Sequence, residues 1–583
     1  MSFKINSKIE DKFTSIVVKE IFESLKNSLD KEDLEKMEVG YPPNKIEGDF
    51  SLPCFSLIKK LKNNPTEIAK QLSQEIRIKD NGVISSVKSA GPYLNFFVNK
   101  DRQAEIILTS ILNKNSISSG LERVKERVMI EYVSPNTNKP LHLGHGRNAF
   151  LGSALSNILE ENNYRVVKTC LVNDRGVHIS KSMLAYDKLG QKTTPEKEGI
   201  KGDHFVGEYY VKFDELKKED PEVENIVHEM LKKWEDGDRK INTLWKKMNR
   251  WVMDGMKQTL KKIGVSFDKF YFESDMYKEG KDIVLQALHE GKFVKKDGAV
   301  VADLSDYRLP DKVLLRSDGT SLYITQDIYL TYLKYKDFEP KKIIHVIGSE
   351  QDLVQRQLFA IMDILGFEES KNLYHLSYGM VNVEGGKLKS REGVKVDLDT
   401  LIGRLENMAR EEIENRNNSL KEKELKKRSE IIALGALKYY ILQYGPKTIV
   451  NFDPKESLSF AGKTGPYLQY SYARIKSIIK KSGVKISDKV DFSKLNNNEE
   501  EELITNLGKF KEVLKESGER YDPSILAKYL YEVAKSFHGF YHTSPVIDAD
   551  NETKKARLLL ISSTAEIIKK GLNILGIEVL EEM

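Results

Sequence analysis

The sequence predicts a multidomain α/β protein in which a split parallel-sheet domain lies between a small α+β domain and an all-helical domain. Three observations carry this. At 583 residues the chain is too long for one ordinary core, and roughly 150 residues per unit suggests three or four of them. A strand–loop–helix–strand run begins at Arg127, is interrupted, and resumes near Ile343. From about Ile431 the apolar periodicity is helical almost to the end.

Residues 8–38 and Pro65–Ile76 have helical spacing, the second behind an Asn64-Pro65-Thr66 start signal. Val83–Val87 and Tyr93–Val98 flank Ala90-Gly91-Pro92 and read as two strands joined by a turn. The strand Val128–Val133, the helix Leu143–Glu161 and the strand Val166–Val172 make one βαβ unit. Ile343–Ile347, Leu353–Leu365 and Tyr374–Val381 supply further strand, helix and strand, so a charged helical insertion at about 202–262 divides the sheet. Helical runs follow near 431–443, 464–481, 500–517, 523–542 and 554–573. The biased stretch Asn496–Glu502 reads as a solvated connector between helices. The boundaries expected are 1–112, 113–450 and 451–583.

A composition of 40% hydrophobic and 31% charged residues is that of a folded soluble chain. No run reaches the roughly 18 apolar residues of a membrane span, and MSFKINSKIEDKF lacks an apolar secretion signal, so a cytoplasmic protein with no membrane partner is expected. Cys54 and Cys170 are far apart and outside any CxxC pattern, which argues against a disulfide framework and a thiolate zinc site. The net charge of +5 permits a nucleic-acid partner without demanding one.

Two segments carry chemistry. The loop Ser134–Pro140 ends a strand and opens a helix with Leu141-His142-Leu143-Gly144-His145. Both histidines then sit in the first turn, beside free backbone N–H groups and the positive end of the helix dipole, a setting that suits an anion. Gly144 leaves room for a nucleotide ring or ribose to approach backbone. Histidines at a helix start are otherwise caps or packing residues. The second segment is the basic loop Lys387-Leu-Lys-Ser-Arg-Glu-Gly393, after a strand and the Gly385-Gly386 pair; alone, such a loop is solvated surface.

Ser134–Asn148 closely resembles the HIGH signature of class I aminoacyl-tRNA synthetases in its arginyl form, and Lys387–Gly393 resembles the KMSKS loop of that class. The resemblance covers nearly the whole chain. It implies a split Rossmann-type catalytic domain that uses ATP with Mg²⁺, and no zinc, to join L-arginine to tRNA(Arg), acting as a monomer. It implies catalytic roles for Lys139, His142, His145, Lys387 and Arg391, and a nucleotide site of Pro135, His142, Gly144, His145, Lys387, Lys389 and Ser390. The loop departs from the class pattern, because the lysine of its fourth position is Ser390. In arginyl members of this kind the missing charge is assigned to the lysine just ahead of the first histidine, here Lys139.

A guanidinium is planar and permanently charged, so its pocket needs carboxylates in fixed geometry. The resemblance places Glu131, Tyr323 and Asp327 around the arginine side chain, and Asn136 and Gln351 near its α-amino and carboxyl groups. Asp174 and His178, in Val172–Ile179, receive no definite role. The N-terminal domain resembles the family's tRNA-elbow domain, with Tyr93 and Phe96 as stacking faces, and Gly465–Arg474 resembles the start of its anticodon-binding domain, with Tyr467, Gln469, Arg474 and Tyr541 as contacts. His538 and His542 lack the glutamate or third ligand of a zinc site. The competing readings are a cysteinyl- or glutamyl-type synthetase and an inactive RNA-binding paralogue.

Overall fold

The computed structural model describes residues 12–26, 29–30, 39–42, 48–80, 82–113, 126–190, 192–383, 397–416 and 420–583. Helix α1 (Lys12–Leu25) is followed by β1 (Phe50–Pro53), α2 (Pro65–Glu75), β2 (Ile84–Ala90), β3 (Tyr93–Val98) and α3 (Lys100–Leu112). The three strands form an antiparallel sheet in the order β1-β3-β2. Gly91, at φ +54°, makes the tight turn of the β2–β3 hairpin. Asn64 starts α2 by accepting the Glu67 N–H at 2.9 Å, with Pro65 at the position where no N–H is needed.

The central domain runs β4 (Arg127–Glu131), α4 (Leu143–Glu161), β5 (Arg165–Val172), α5 (Val177–Leu189), α6 (Gly202–Glu219), α7 (Val223–Glu235), α8 (Arg239–Lys262) and β6 (Lys269–Phe272). The helices α6 to α8 are the charged insertion expected at 202–262. A second interruption escaped the sequence reading: α9 (Glu279–His289) and an antiparallel sheet of β7 (Val294–Lys296), β8 (Ala299–Ala302) and β9 (Lys312–Leu315) lead into α10 (Tyr323–Phe338). The parallel sheet then resumes with β10 (Lys342–Gly348), α11 (Asp352–Ile364) and β11 (Leu373–Tyr378).

The sheet order is β11-β10-β4-β5-β6, with every neighbouring pair parallel. Because β5 and β10 flank β4 on opposite sides, the winding reverses there and leaves a crevice at the carboxyl ends of β4 and β10. Alternation sorts the strands between two cores: Ile130, Ile344 and Val346 pack on the α4 side, whereas Met129 and Ile343 pack with Ile324, Ile328, Leu358 and Ile361 of α10 and α11. Glu131 and His345, each two residues farther along, therefore face the α10/α11 side.

The short strand β12 (Val381–Val383) pairs in parallel with β13 (Val450–Phe452), and between them lie α12 (Leu398–Arg416) and α13 (Glu422–Leu442). The helical domain follows as α14 (Gly465–Ser482), α15 (Asn498–Gly508), α16 (Phe510–Glu519), α17 (Pro523–Thr543) and α18 (Asn551–Ile574). Two expectations are corrected here. The helix expected over 500–517 is two helices that meet at Lys509. The stretch 496–502 is no solvated connector: Asn497 and Glu500 form a reciprocal cap for α15, and Glu500, fully buried, is paired with Arg557 at 2.7 Å.

The carboxyl end of α4 is held by this domain. Asn157 donates to the Ile574 carbonyl at 2.9 Å, Asn162 to the Leu514 carbonyl at 3.0 Å, and Glu161 pairs with Lys570. Near its other end Arg147, fully buried, donates to the carbonyls of Pro446 and Thr448, each at 2.7 Å, and burial lowers its pKa to about 10. Replacing Arg147 with lysine keeps the charge and loses the fork. The variant is expected to lose about 3 kcal/mol, read as a lower chemical-unfolding midpoint.

Candidate active site

One cavity of about 1100 Å³ opens at the carboxyl ends of β4 and β10, a volume large enough for a nucleotide with an amino acid beside it. Glu131, Asn136, His142, Gly144, His145, Tyr323, Asp327 and Gln351 all line it. Residues that are up to 220 positions apart in sequence are thus brought together by the reversal of winding. The loop residues Lys387, Lys389, Ser390 and Arg391 lie outside the described residues.

At its α4 end, the wall is built on a contorted turn. Val133 and Ser134 carry positive φ, +79° and +43°, which side chains other than glycine avoid. Asn148 stabilises the turn: its Oδ1 accepts the Val133 N–H at 2.6 Å while its Nδ2 donates to the Val346 carbonyl at 2.8 Å and the Tyr378 hydroxyl at 3.2 Å. One buried amide therefore ties together the ends of β4, β10 and β11.

The helix begins at Leu143, with His142 as its N-cap residue. The His142 N–H donates to His145 Nδ1 at 3.2 Å, and the two rings stack with centroids 3.9 Å apart. Since Nδ1 of His145 accepts, its neutral ring carries the proton on Nε2 and presents a donor there. Gly144 has a role the sequence reading did not assign: a Cβ there would stand 2.9 Å from Cε1 of His142, so glycine makes room for that ring.

Two residues assigned to this region do not line the cavity. Pro135 is buried, and its carbonyl accepts the Asn173 N–H at 2.9 Å, so it shapes the loop. Lys139 is half-buried, and its Cα is 3.5 Å from the point a Cβ would take on Gly207 of α6. Its positive charge nevertheless reaches the wall, because His178, which lines the cavity, is lowered in pKa by burial first, then Lys181 and Lys139.

The α10 end is acidic. Glu131, 3% exposed, is paired at 2.7 Å with Lys334, 1% exposed. The Asp327 carboxyl is raised to about 7, by burial first and the charge of Glu131 second, with Lys334 opposing. Glu273 is likewise raised to about 7 by burial, against the pull of Arg175. The Arg175 guanidinium stacks 4.2 Å over the Tyr277 ring and pairs with Glu235. Tyr323 stands 72% exposed where it lines the cavity, and Gln351, which also lines it, is exposed at the start of α11.

Lys334, Glu273, Arg175, Asn148 and His345 all face the cavity and were not singled out from sequence. A usable signal existed for Lys334, which is seven residues after Asp327 and so lies on the same helix face. Asp174 proves structural: its carboxylate accepts the Ser274 N–H at 2.9 Å and the Ser274 hydroxyl at 2.7 Å, and burial raises it to about 6.

Asp203, His204 and Asp399 are the only group of three acidic or imidazole ligands clustered tightly enough for a metal ion among the described residues. The position is filled by the Lys201 ammonium, 3.0 Å from Asp203 and 2.5 Å from Asp399. A resident cation does not fit there. Cys54 and Cys170 are buried free thiols. No helix among the described residues is long and apolar enough to cross a membrane.

Of the residues assigned to RNA, two are corrected. Phe96 is wholly buried in the core of the N-terminal domain. Gln469 is wholly buried too and donates to the carbonyls of Ile431, at 3.1 Å, and Glu578, at 2.8 Å. Neither offers a face to a base. Tyr93 is exposed, edge-on to Phe55 at 5.8 Å. Tyr467 lies against His538 at 5.2 Å, and the Arg474 guanidinium is 4.6 Å over the Tyr541 ring. Burial and Arg474 lower His538 to about 4.

Three family models match the chain: the N-terminal domain of arginyl-tRNA synthetase over residues 9–98, the class I (R) tRNA synthetase catalytic domain over 107–452, and the DALR anticodon-binding domain over 468–583. The arginine–tRNA ligase of Treponema denticola is 44% identical over 94% of this chain and 95% of its own. That of Bacteroides thetaiotaomicron is 41% identical over 99% of this chain and 100% of its own. The Thermus thermophilus arginyl-tRNA synthetase structure superposes with a TM-score of 0.80 at 26% identity, covering 97% of this chain and 99% of that one. The Plasmodium falciparum enzyme, at 20% identity over 98% and 99%, shares the fold with a TM-score of 0.77. Three contiguous domain matches and full-length relatives place this chain in the arginyl-tRNA synthetase family of class I synthetases.

Proposed function

We propose that the protein is an arginine–tRNA ligase, which activates L-arginine with ATP and transfers it to the 3′-terminal adenosine of tRNA(Arg). The observation that carries this reading is the acidic end of the cavity: Asp327 and the Glu131–Lys334 pair line the same space as the histidines of the helix α4 turn. A buried carboxyl raised by its surroundings is stabilised by a permanent cation, and the guanidinium of arginine supplies one.

The α-carboxylate of arginine attacks the α-phosphorus of ATP, the bond to the β-phosphate breaks, and pyrophosphate leaves. Catalysis here is placement and neutralisation of charge. Asn136 and Gln351 orient the amino acid's α-amino and carboxyl groups, Tyr323 and Asp327 with Glu131 hold its side chain, and His142 and His145 donate to the nucleotide. Lys139, Lys387 and Arg391 neutralise the leaving pyrophosphate, while Pro135, Gly144, Lys389 and Ser390 shape the nucleotide site. The buried acidic end, Glu131, Asp327 and Glu273, lies with Lys334 and Arg175, so Mg²⁺ would be held by the nucleotide's phosphates; bound there, it supplies further charge neutralisation.

The 2′-hydroxyl of the terminal adenosine then attacks the adenylate carbonyl, and AMP leaves. Tyr93 would meet the tRNA elbow, and Tyr467, Arg474 and Tyr541 the anticodon loop. We assign the chain divisions 1–112, 113–450 and 451–583 to elbow binding, catalysis and anticodon binding, in a cytoplasmic monomer. Incubation with ATP, total tRNA and each radiolabelled amino acid in turn tests the whole reading: arginine alone is charged, and charging of cysteine or glutamate, or of nothing, overturns it. Pyrophosphate exchange should also require tRNA.

A further inference from the structure

His345 stands in β10 directly opposite Glu131 of β4. It is 3% exposed and lines the cavity, yet among the described residues its Nε2 has no hydrogen-bond partner. Beside it Gln355 of α11 is 5% exposed and lines the same cavity; its side chain comes near enough to the imidazole to act on it, but its Oε1 makes no hydrogen bond of normal geometry. Buried polar atoms are normally paired, and unpaired ones on residues that line a binding cavity are exceptions that a ligand can satisfy. The Phe359 ring fixes the imidazole from the side, edge-on at 5.7 Å.

The ring is held neutral. Burial, Lys334 and His375 all keep its pKa well below the ordinary histidine value, with only the hydrogen-bonding pull of Gln355 the other way. A neutral imidazole has one nitrogen with a free lone pair, whereas a protonated one has none. The surroundings that disfavour the proton therefore preserve an acceptor at the acidic end of the cavity.

We propose that His345, seconded by Gln355, is a specificity-determining residue that accepts a guanidinium N–H which the carboxylates of Glu131 and Asp327 leave over. This rests on the reading of the cavity as the arginine site. A guanidinium has five N–H donors in a plane, and two carboxylates with different approach directions do not use all of them well. A neutral acceptor takes the remaining donor without adding a charge. An amino acid ending in an ammonium, with three donors on a single compact nitrogen, cannot reach carboxylates and imidazole together. It would leave a buried acceptor unpaired, which is how a polar site rejects a near analogue.

The test uses the full-length protein with tRNA. In His345→Phe the KM for arginine is expected to rise about 10- to 100-fold while the KM for ATP stays within about twofold. His345→Gln, which keeps an acceptor, should recover most of that loss. In the wild-type protein the ¹⁵N resonance of the unprotonated His345 ring nitrogen should shift upfield when arginine is added and stay in place with ATP alone. If wild type does not bind arginine at all, the cavity assignment fails. If it binds arginine while the Phe variant retains its arginine KM, or while the resonance of the unprotonated ring nitrogen does not respond, the role of His345 is overturned; the resonance decides alone should the Phe variant not fold.

Discussion

Asp327→Asn is expected to raise the KM for arginine by about 100- to 1,000-fold, equivalent to roughly 3–4 kcal/mol, with the KM for ATP little changed. The size follows from burial: the carboxyl faces the cavity from α10, next to Glu131, and its charge is left without an equal counterion when only Lys334 opposes the pair. A guanidinium between the two carboxylates would meet that need, and an amide cannot. The pH dependence has a definite sign. With its pKa raised to about 7, Asp327 is increasingly protonated below pH 7, so arginine must displace a proton to bind. The KM for arginine should therefore rise about tenfold per pH unit below 7 and level off above it, and binding should release a proton detectable as a buffer-dependent heat. In Asp327→Asn that acidic limb should flatten. An unchanged limb in the variant, or a KM within threefold of wild type, would show that Asp327 does not meet the guanidinium.

Much of this was legible because periodicity and punctuation are local. The strand β4, the helix α4 and the strand β5 follow directly from alternation and helical spacing, and His145 falls in the first turn as expected, while His142 stands one residue ahead of the helix as its N-cap. Glu131, Asn136, Tyr323, Asp327 and Gln351 came from the family pattern, and all five line one cavity. What was missed depends on tertiary geometry. The β7–β9 sheet has strands of only three or four residues, too short for alternation to register. His345 looks like a polar residue within an apolar strand until β10 is set beside β4. Phe96 and Gln469 failed for the same reason in reverse, since exposure in a strand or helix is decided by what packs on it. Glu500 shows that a run of acidic residues need not be solvated when an arginine, here Arg557, comes from 57 positions away to meet it.

Lys139→Ala is expected to cut arginine-dependent pyrophosphate exchange by about 100- to 1,000-fold, the loss usual when one fixed donor to a developing anion is removed. The case begins with Ser390, which stands where the class loop carries a lysine, so one cation is missing from that side. Lys139 sits in the turn between β4 and α4, three residues before His142, with its backbone near Gly207 of α6. Its charge is felt inside the cavity, since it helps lower the pKa of His178. Removing it should then raise the pKa of His178, an effect that ring-proton resonances report without any turnover. Because the charge is needed on the departing pyrophosphate more than on bound ATP, kcat should fall far more than the KM for ATP changes. Restoring the cation from the other side, with Ser390→Lys in the Lys139→Ala background, should recover at least about tenfold of the exchange rate if the two positions serve one charge. Normal exchange in Lys139→Ala with a shifted His178 would mean that the charge reaches the cavity wall without acting on the reaction.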